Sequence, residues 1–190
     1  MNDKGFSLLE MVVVLGIILV LAAFAAPALK AYSVESHILG AGRVFKWEFM
    51  KARSIAVRSG VQTAIRFEVS ADGQDQYSTY SDGNGNGVLA ADITAGVDSR
   101  ISGPLPLSGG APGVRVGILP GLKGPDGEDL DPADPIKFGR SNMLSFSPFG
   151  TASPGTFYLA GEGVQGAVRV TPGNSRVRLI LCRRNRWIER

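Results

Sequence analysis

A chain of 190 residues with a net charge of only +3 and an apolar share of 44% has room for one modest globular domain and an additional segment. So small a positive excess does not by itself announce a nucleic-acid binder. The single cysteine, Cys182, excludes an intrachain disulfide, and one cysteine with one histidine excludes zinc sites built from those ligands. The 25 glycines point to turns and β-structure after the first third of the chain.

Apolar residues are concentrated at the start. Residues 11–26 contain no charged or strongly polar side chain, and the apolar stretch as a whole runs over residues 6–29, enough to cross a bilayer core, which takes about 20 residues. Three readings are open for it. It could be a secretory signal peptide, with Lys4 as the charged start and Ala23-Phe24-Ala25 as a small-residue cleavage site. It could be a plain transmembrane anchor, or a prepilin leader followed by its helix. Two features favour the last: the polar leader is very short and ends in Lys4-Gly5, and Glu10 stands alone inside the apolar run, where a carboxylate is costly.

On these residues the resemblance is specific: Gly5-Phe6-Ser7-Leu8-Leu9-Glu10 resembles the type IV prepilin motif. The resemblance implies cleavage between Gly5 and Phe6 by a prepilin peptidase and N-methylation of the new Phe6 amine. It also implies that Glu10 pairs with the N-terminal amine of a neighbouring subunit. A cation from an adjacent helix would relieve a carboxylate in hydrocarbon and fix axial register. The protein would then be a single-pass component of the bacterial inner membrane, with its C-terminal domain in the periplasm. Its partners would be other pilins or pseudopilins and an inner-membrane assembly platform.

Pro27, which removes a helical hydrogen bond, reads either as a kink at the membrane surface or as a point where the helix can melt during assembly. From residue 28 to about 59 the helix continues. Val34, Ile38, Ala41, Phe45, Phe49, Ala52 and Ala56 recur at three- and four-residue spacing and form one apolar stripe, with most charges off it. Gly60 is the expected stop, and Gly40 and Gly42 weaken the helix locally by roughly 1 kcal/mol each. Lys51-Ala52-Arg53-Ser54-Ile55-Ala56-Val57-Arg58-Ser59-Gly60 resembles the helix end of the H-type (GspH/FimT-like) minor pseudopilin family.

After Gly60 the period becomes alternating. Val61, Thr63, Ile65, Phe67 and Val69 fall on one face and Arg66 and Glu68 on the other, which predicts a half-buried strand. Further strands are expected over 76–81, 114–119, 143–147, 156–160, 167–170 and 177–182, punctuated by Gly and Pro. Short strands at this spacing suggest antiparallel sheet. The stretch Leu144-Ser145-Phe146-Ser147-Pro148-Phe149-Gly150-Thr151-Ala152 resembles the late β-turn of the H-type family, and Gly173 to Arg178 resembles part of its closing hairpin. Residues 90–135 match no motif. The expected fold is α+β and pilin-like: a long N-terminal helix packed on an antiparallel β-sheet domain. Residues 1–5 would be the leader, 6–29 the membrane and filament-core helix, 30–60 an amphipathic helix, and 61–190 the β-rich domain.

Two surface sites stand out. Asp82-Gly83-Asn84-Gly85-Asn86-Gly87 fits the first half of a calcium loop, with oxygens at Asp82, Asn84 and Asn86 and a further carboxylate at Asp92. Ile93 stands where the twelfth-position glutamate of an EF-hand would be, and the same residues also read as a hairpin turn that binds nothing. Calcium is therefore the one cofactor considered. The acidic run Asp126, Glu128, Asp129, Asp131 and Asp134 reads as a solvated loop. Arg176, Arg178, Arg183, Arg184 and Arg186, with Trp187 among them, could hold a phosphate backbone and stack on a base. The alternatives for them are a solvated strand face, or contact with anionic lipid or a partner subunit.

No nucleophile elbow, phosphate-binding loop or zinc signature occurs, and nothing in the sequence brings His37 and Cys182 together. The chain reads as a structural part and not an enzyme. Its expected role is a minor pseudopilin of a type II protein secretion system, the alternative being a minor pilin that binds DNA during uptake.

Overall fold

Ser7 opens the first helix in extended conformation, and its hydroxyl accepts the backbone N–H of Glu10 at 3.2 Å, a standard N-cap arrangement. In the structure, a computed structural model that describes residues 7–69, 75–139, 141–183 and 185–190, helix α1 runs over Leu8–Ser59, through Pro27, and stops at Gly60. Gly60 has φ 71° and returns its N–H to the Ala56 carbonyl, the left-handed cap that glycine adopts without a steric penalty.

Among the described residues, ten short strands and one more helix follow: β1 (Thr63–Glu68), β2 (Gln76–Ser81), α2 (Ala90–Ala95), β3 (Ser99–Pro106), β4 (Arg115–Val116), β5 (Ile136–Lys137), β6 (Met143–Phe146), β7 (Gly155–Ala160), β8 (Gln165–Val170), β9 (Val177–Arg183) and β10 (Arg186–Glu189). They form two antiparallel sheets, one in the order β3-β2-β1-β6 and the other β10-β9-β8-β7-β4, with β5 also paired to β7. The expected α+β architecture is what the chain adopts.

The second half of α1 lies against both sheets. Its buried face is the stripe read from the sequence: Ile38, Ala41, Phe45, Phe49, Ala52 and Ala56 are each 2% exposed or less, and Val34 packs at the edge of the same cluster. The core that this stripe enters is aromatic. Phe45 lies 4.4 Å from Phe157 between ring centroids, and Phe49 meets Phe67 and Phe138 edge-on. Such tilted and edge-to-face pairs add about 0.5–1.5 kcal/mol each beyond their buried area. Gly42 has a role in this packing that its helix propensity hides: a Cβ there would stand 2.3 Å from Leu179 Cδ1, so glycine lets β9 approach the helix.

The first strand departs from the expected half-burial. Ala64, on the face opposite Ile65, is also buried, in a second cluster with Tyr80, Val88 and Met143. The segment between β2 and β3 folds over that face. At the strand's ends the alternation fails: Val61 and Val69 lie outside β1, and Val69 is exposed. The expected strand over 114–119 contracts to Arg115–Val116, and β3, β5, β10 and α2 are elements the sequence pattern did not announce.

Candidate assembly helix and surface sites

Residues 7–33 bury nothing. Every one of their side chains is exposed, including Leu8 at 85%, Phe24 at 78% and Leu29 at 69%. This part of α1 is long and apolar enough to cross a membrane. Side chains of this kind do not remain in water over seven helical turns; they require lipid or other helices. Glu10 lies in the first turn of the helix, where its carboxylate is favourably placed for the helix dipole but remains the only acidic group in the exposed apolar half. Gly5 and Phe6, the expected cleavage and methylation positions, lie outside the described residues, as does Arg184.

At the other end of α1, two of the segments that resemble the H-type family come together, the helix end and the turn after β6. The turn after β6 closes with the Gly150 N–H on the Ser147 carbonyl at 2.9 Å. Gly150, at φ 77°, sits so close to the helix end that a Cβ would come within 3.3 Å of Arg53 Nε and 3.4 Å of Val57 Cγ2. Phe149 in the same turn is 92% exposed.

The loop after β2 is closed by its own aspartates. The Asp82 carboxylate accepts N–H bonds from Asn84 at 3.1 Å, Gly85 at 2.8 Å and Gly87 at 2.8 Å. Asn84 Oδ1 accepts from the Asn86 N–H, and both asparagine amides donate to Asp92 Oδ2, at 3.3 and 2.9 Å. The four residues expected as calcium ligands are thus brought together, but with oxygens of Asp82, Asn84 and Asp92 facing N–H donors. Among the described residues, no three His, Cys, Asp or Glu side chains are grouped so as to hold a metal ion. Asp98 went unnoticed in the sequence. It is buried and joins the ends of the loop, accepting from Gly83 N–H at 3.0 Å and Leu89 N–H at 2.9 Å. No motif marks it; it is the aspartate that directly precedes β3.

The C-terminal arginines are divided between two places. Arg176, just before β9, and Arg178, within it, both reach Glu189 of β10, at 2.8 and 3.8 Å. Arg183, at the other end of β9, pairs with Glu35 of α1, with its Nε donating at 3.2 Å. Arg190 lies 4.0 Å from the same carboxylate, and Arg186 is exposed at the start of β10. Trp187 is not presented for stacking on a base: its indole N–H donates to the Lys123 carbonyl at 2.9 Å and its ring packs edge-on against Tyr158. The acidic run is likewise engaged in part, since Asp126 holds Arg169 in a two-point ion pair and Asp129 holds Lys123. Cys182 lies in β9, where burial raises its thiol pKa above the ordinary value although the Asn185 backbone N–H pulls it down. The thiol is therefore held mainly protonated at pH 7, which lowers its reactivity.

Comparison with known proteins bears on both ends of this description. No curated protein matches the chain. Among solved structures, the minor pseudopilin EpsH from the Type 2 Secretion System of Vibrio cholerae is similar over 74% of this chain and 93% of its own, at 15% identity and a TM-score of 0.44. Residues 1–26 match the prokaryotic N-terminal methylation motif. By that motif, this chain carries the N-terminal methylation signature of prepilin-type proteins, continued by an exposed apolar helix long enough to cross a membrane.

Proposed function

We propose that the protein is a structural minor pseudopilin of a type II protein secretion system, and that it enters the pseudopilus through the first half of α1. The observation that carries this reading is the wholly exposed apolar helix over residues 7–33, headed by a methylation motif. A helix of this kind can be held in a bilayer before assembly and covered by neighbouring helices afterwards. Glu10 would then meet the methylated amine of an adjacent subunit, and the β-domain would stand in the periplasm. The contact between the helix end at Arg53 and Val57 and the Gly150 turn supports the H-type assignment, because the two resembling segments form one packed unit. The DNA-uptake reading has less support: Arg176 and Arg178 both reach Glu189 of the same chain, and the Trp187 ring is packed against Tyr158.

The test is the N-terminus of the protein recovered from the membranes of its native host. Mass spectrometry is expected to find a chain that begins at N-methylated Phe6 and co-purifies with other pseudopilins. A chain that begins at Met1 or after Ala25 would overturn the proposal, and co-purification with DNA-uptake pilins alone would move it to the other system.

A further inference from the structure

Residues 8–29 form an apolar helix about 33 Å long, which matches a hydrocarbon core of about 30 Å. Lys30, the next residue, is therefore at the membrane surface. Its Nζ is 2.8 Å from Glu162 in the turn between β7 and β8, so that turn is at the surface too. Glu35 follows five residues later, about 7.5 Å further along the helix axis, and it holds Arg183 and approaches Arg190. Helix and strand run in opposite directions here: Glu35 meets Arg183, and further along the helix Gly42 meets Leu179. Hence the end of β9 at Arg183 and the start of β10 at Arg186, which pair with each other, face back toward the bilayer, with Arg186 exposed. Among the described side chains joined in these ion pairs or lining the cleft beside them, Lys30, Arg183, Arg186 and Arg190 outnumber Glu35 and Glu162. That cleft, of ≈ 810 Å³, has walls that include Val164, Cys182 and Ile188 beside Arg183 and Arg186.

We propose that this membrane-facing end of the β-domain, where β9 and β10 meet at Arg183 and Arg186, binds the headgroup phosphates of anionic phospholipids in the bilayer that α1 crosses. The cationic rim attracts the phosphates electrostatically, and the apolar wall admits the glycerol and upper acyl carbons. Each arginine near an anionic surface is worth about fivefold in occupancy. The contact would hold the domain down on the membrane before assembly and be given up as the subunit rises into a filament. The inference rests on the membrane-anchor reading of α1.

The experiment uses the full chain in vesicles of phosphatidylcholine, with or without phosphatidylglycerol. A fluorophore is placed on Ile188→Cys in a Cys182→Ser background, and nitroxides are carried on the lipid headgroups. Quenching is expected to be stronger with phosphatidylglycerol, to weaken with salt, and to fall about fivefold or more in Arg186→Glu. It should be unchanged in Arg176→Ala, at the far end of β9. Equal quenching in both lipids, or no response to Arg186→Glu, overturns the proposal; so does a label that responds to added duplex DNA but not to lipid charge. A second label at Leu21→Cys, read with nitroxides on the acyl chains, separates the two levels. If that label is quenched and the Ile188 label ignores lipid charge, only the lipid contact is lost. If it is not quenched, the anchor reading fails and the lipid contact with it.

Discussion

Asp82 shows how much one carboxylate can hold. Burial pushes its carboxyl up, but the backbone N–H groups of Gly87, Gly85, Asn84 and Asn86 together outweigh burial and hold it below the ordinary carboxylate value. A carboxylate whose pKa is lower in the folded than in the unfolded state stabilises the fold fully above the unfolded value of about 3.9, and that contribution is lost as pH falls through the lower folded value. Asp82→Ala would leave the N–H groups of Gly85 and Gly87 without their acceptor, at a cost of about 1–3 kcal/mol. Thermal melts of the full chain in micelles are expected to show that loss at neutral pH, and a shallower acid decline in the variant than in the parent. Calcium would have to displace the N–H donors from Asp82 and Asp92, so the same melts are expected to ignore millimolar calcium. A calcium-dependent rise in Tm would show that the ion wins. The loop itself was legible, because Asp and Asn before glycine at alternate positions specify a tight turn. Whether its oxygens face an ion or N–H groups was not, because both outcomes use the same residues at the same spacing.

At the scale of elements, legibility followed burial. The α1 stripe was visible because one face of a helix against a sheet must be apolar at helical period, and each predicted stripe position from Ile38 to Ala56 is buried. Strands β3 and β10 were not visible because they are edge strands. β3 carries Pro104 and Pro106 and is mostly exposed, and β10 is mostly exposed and contains charged residues; both are ways to blunt an edge, and both erase alternation. The two glycines of α1 separate propensity from packing. Both should weaken the helix, yet nothing lies within 4 Å of a Cβ built at Gly40, whereas one built at Gly42 overlaps Leu179. Gly40→Ala is therefore expected to raise stability by about 0.5–1 kcal/mol. Gly42→Ala has the same helical gain but must push Leu179 aside in a close-packed core, and should fall below Gly40→Ala by about 1–3 kcal/mol. Denaturant melts of the two variants side by side check this, and equal values would mean that Leu179 moves without cost.

The whole molecule is divided by solvent. Residues 7–33 ask for an apolar environment, and the β-domain, with its ion-paired surface, asks for water. The boundary falls at the Lys30–Glu162 pair, where α1 enters the domain. Glu10 is the exception to this division, and its charge separates insertion from assembly. Insertion does not need it, since removing a carboxylate from a membrane helix can only ease entry. Assembly in the proposed filament does, because a desolvated cation that loses its partner costs about 2–5 kcal/mol. Glu10→Gln is therefore expected to reach the membrane fraction at the parent level and to begin at the same residue. It should recover its partner subunits at least tenfold less well in cross-linked membranes. Glu162→Gln breaks a pair whose side chains are both more than half exposed, worth at most about 1 kcal/mol, and should leave recovery near the parent level. If Glu10→Gln co-purifies with its partners as the parent does, the carboxylate has no cation to meet. The exposed helix would then be an anchor and nothing more.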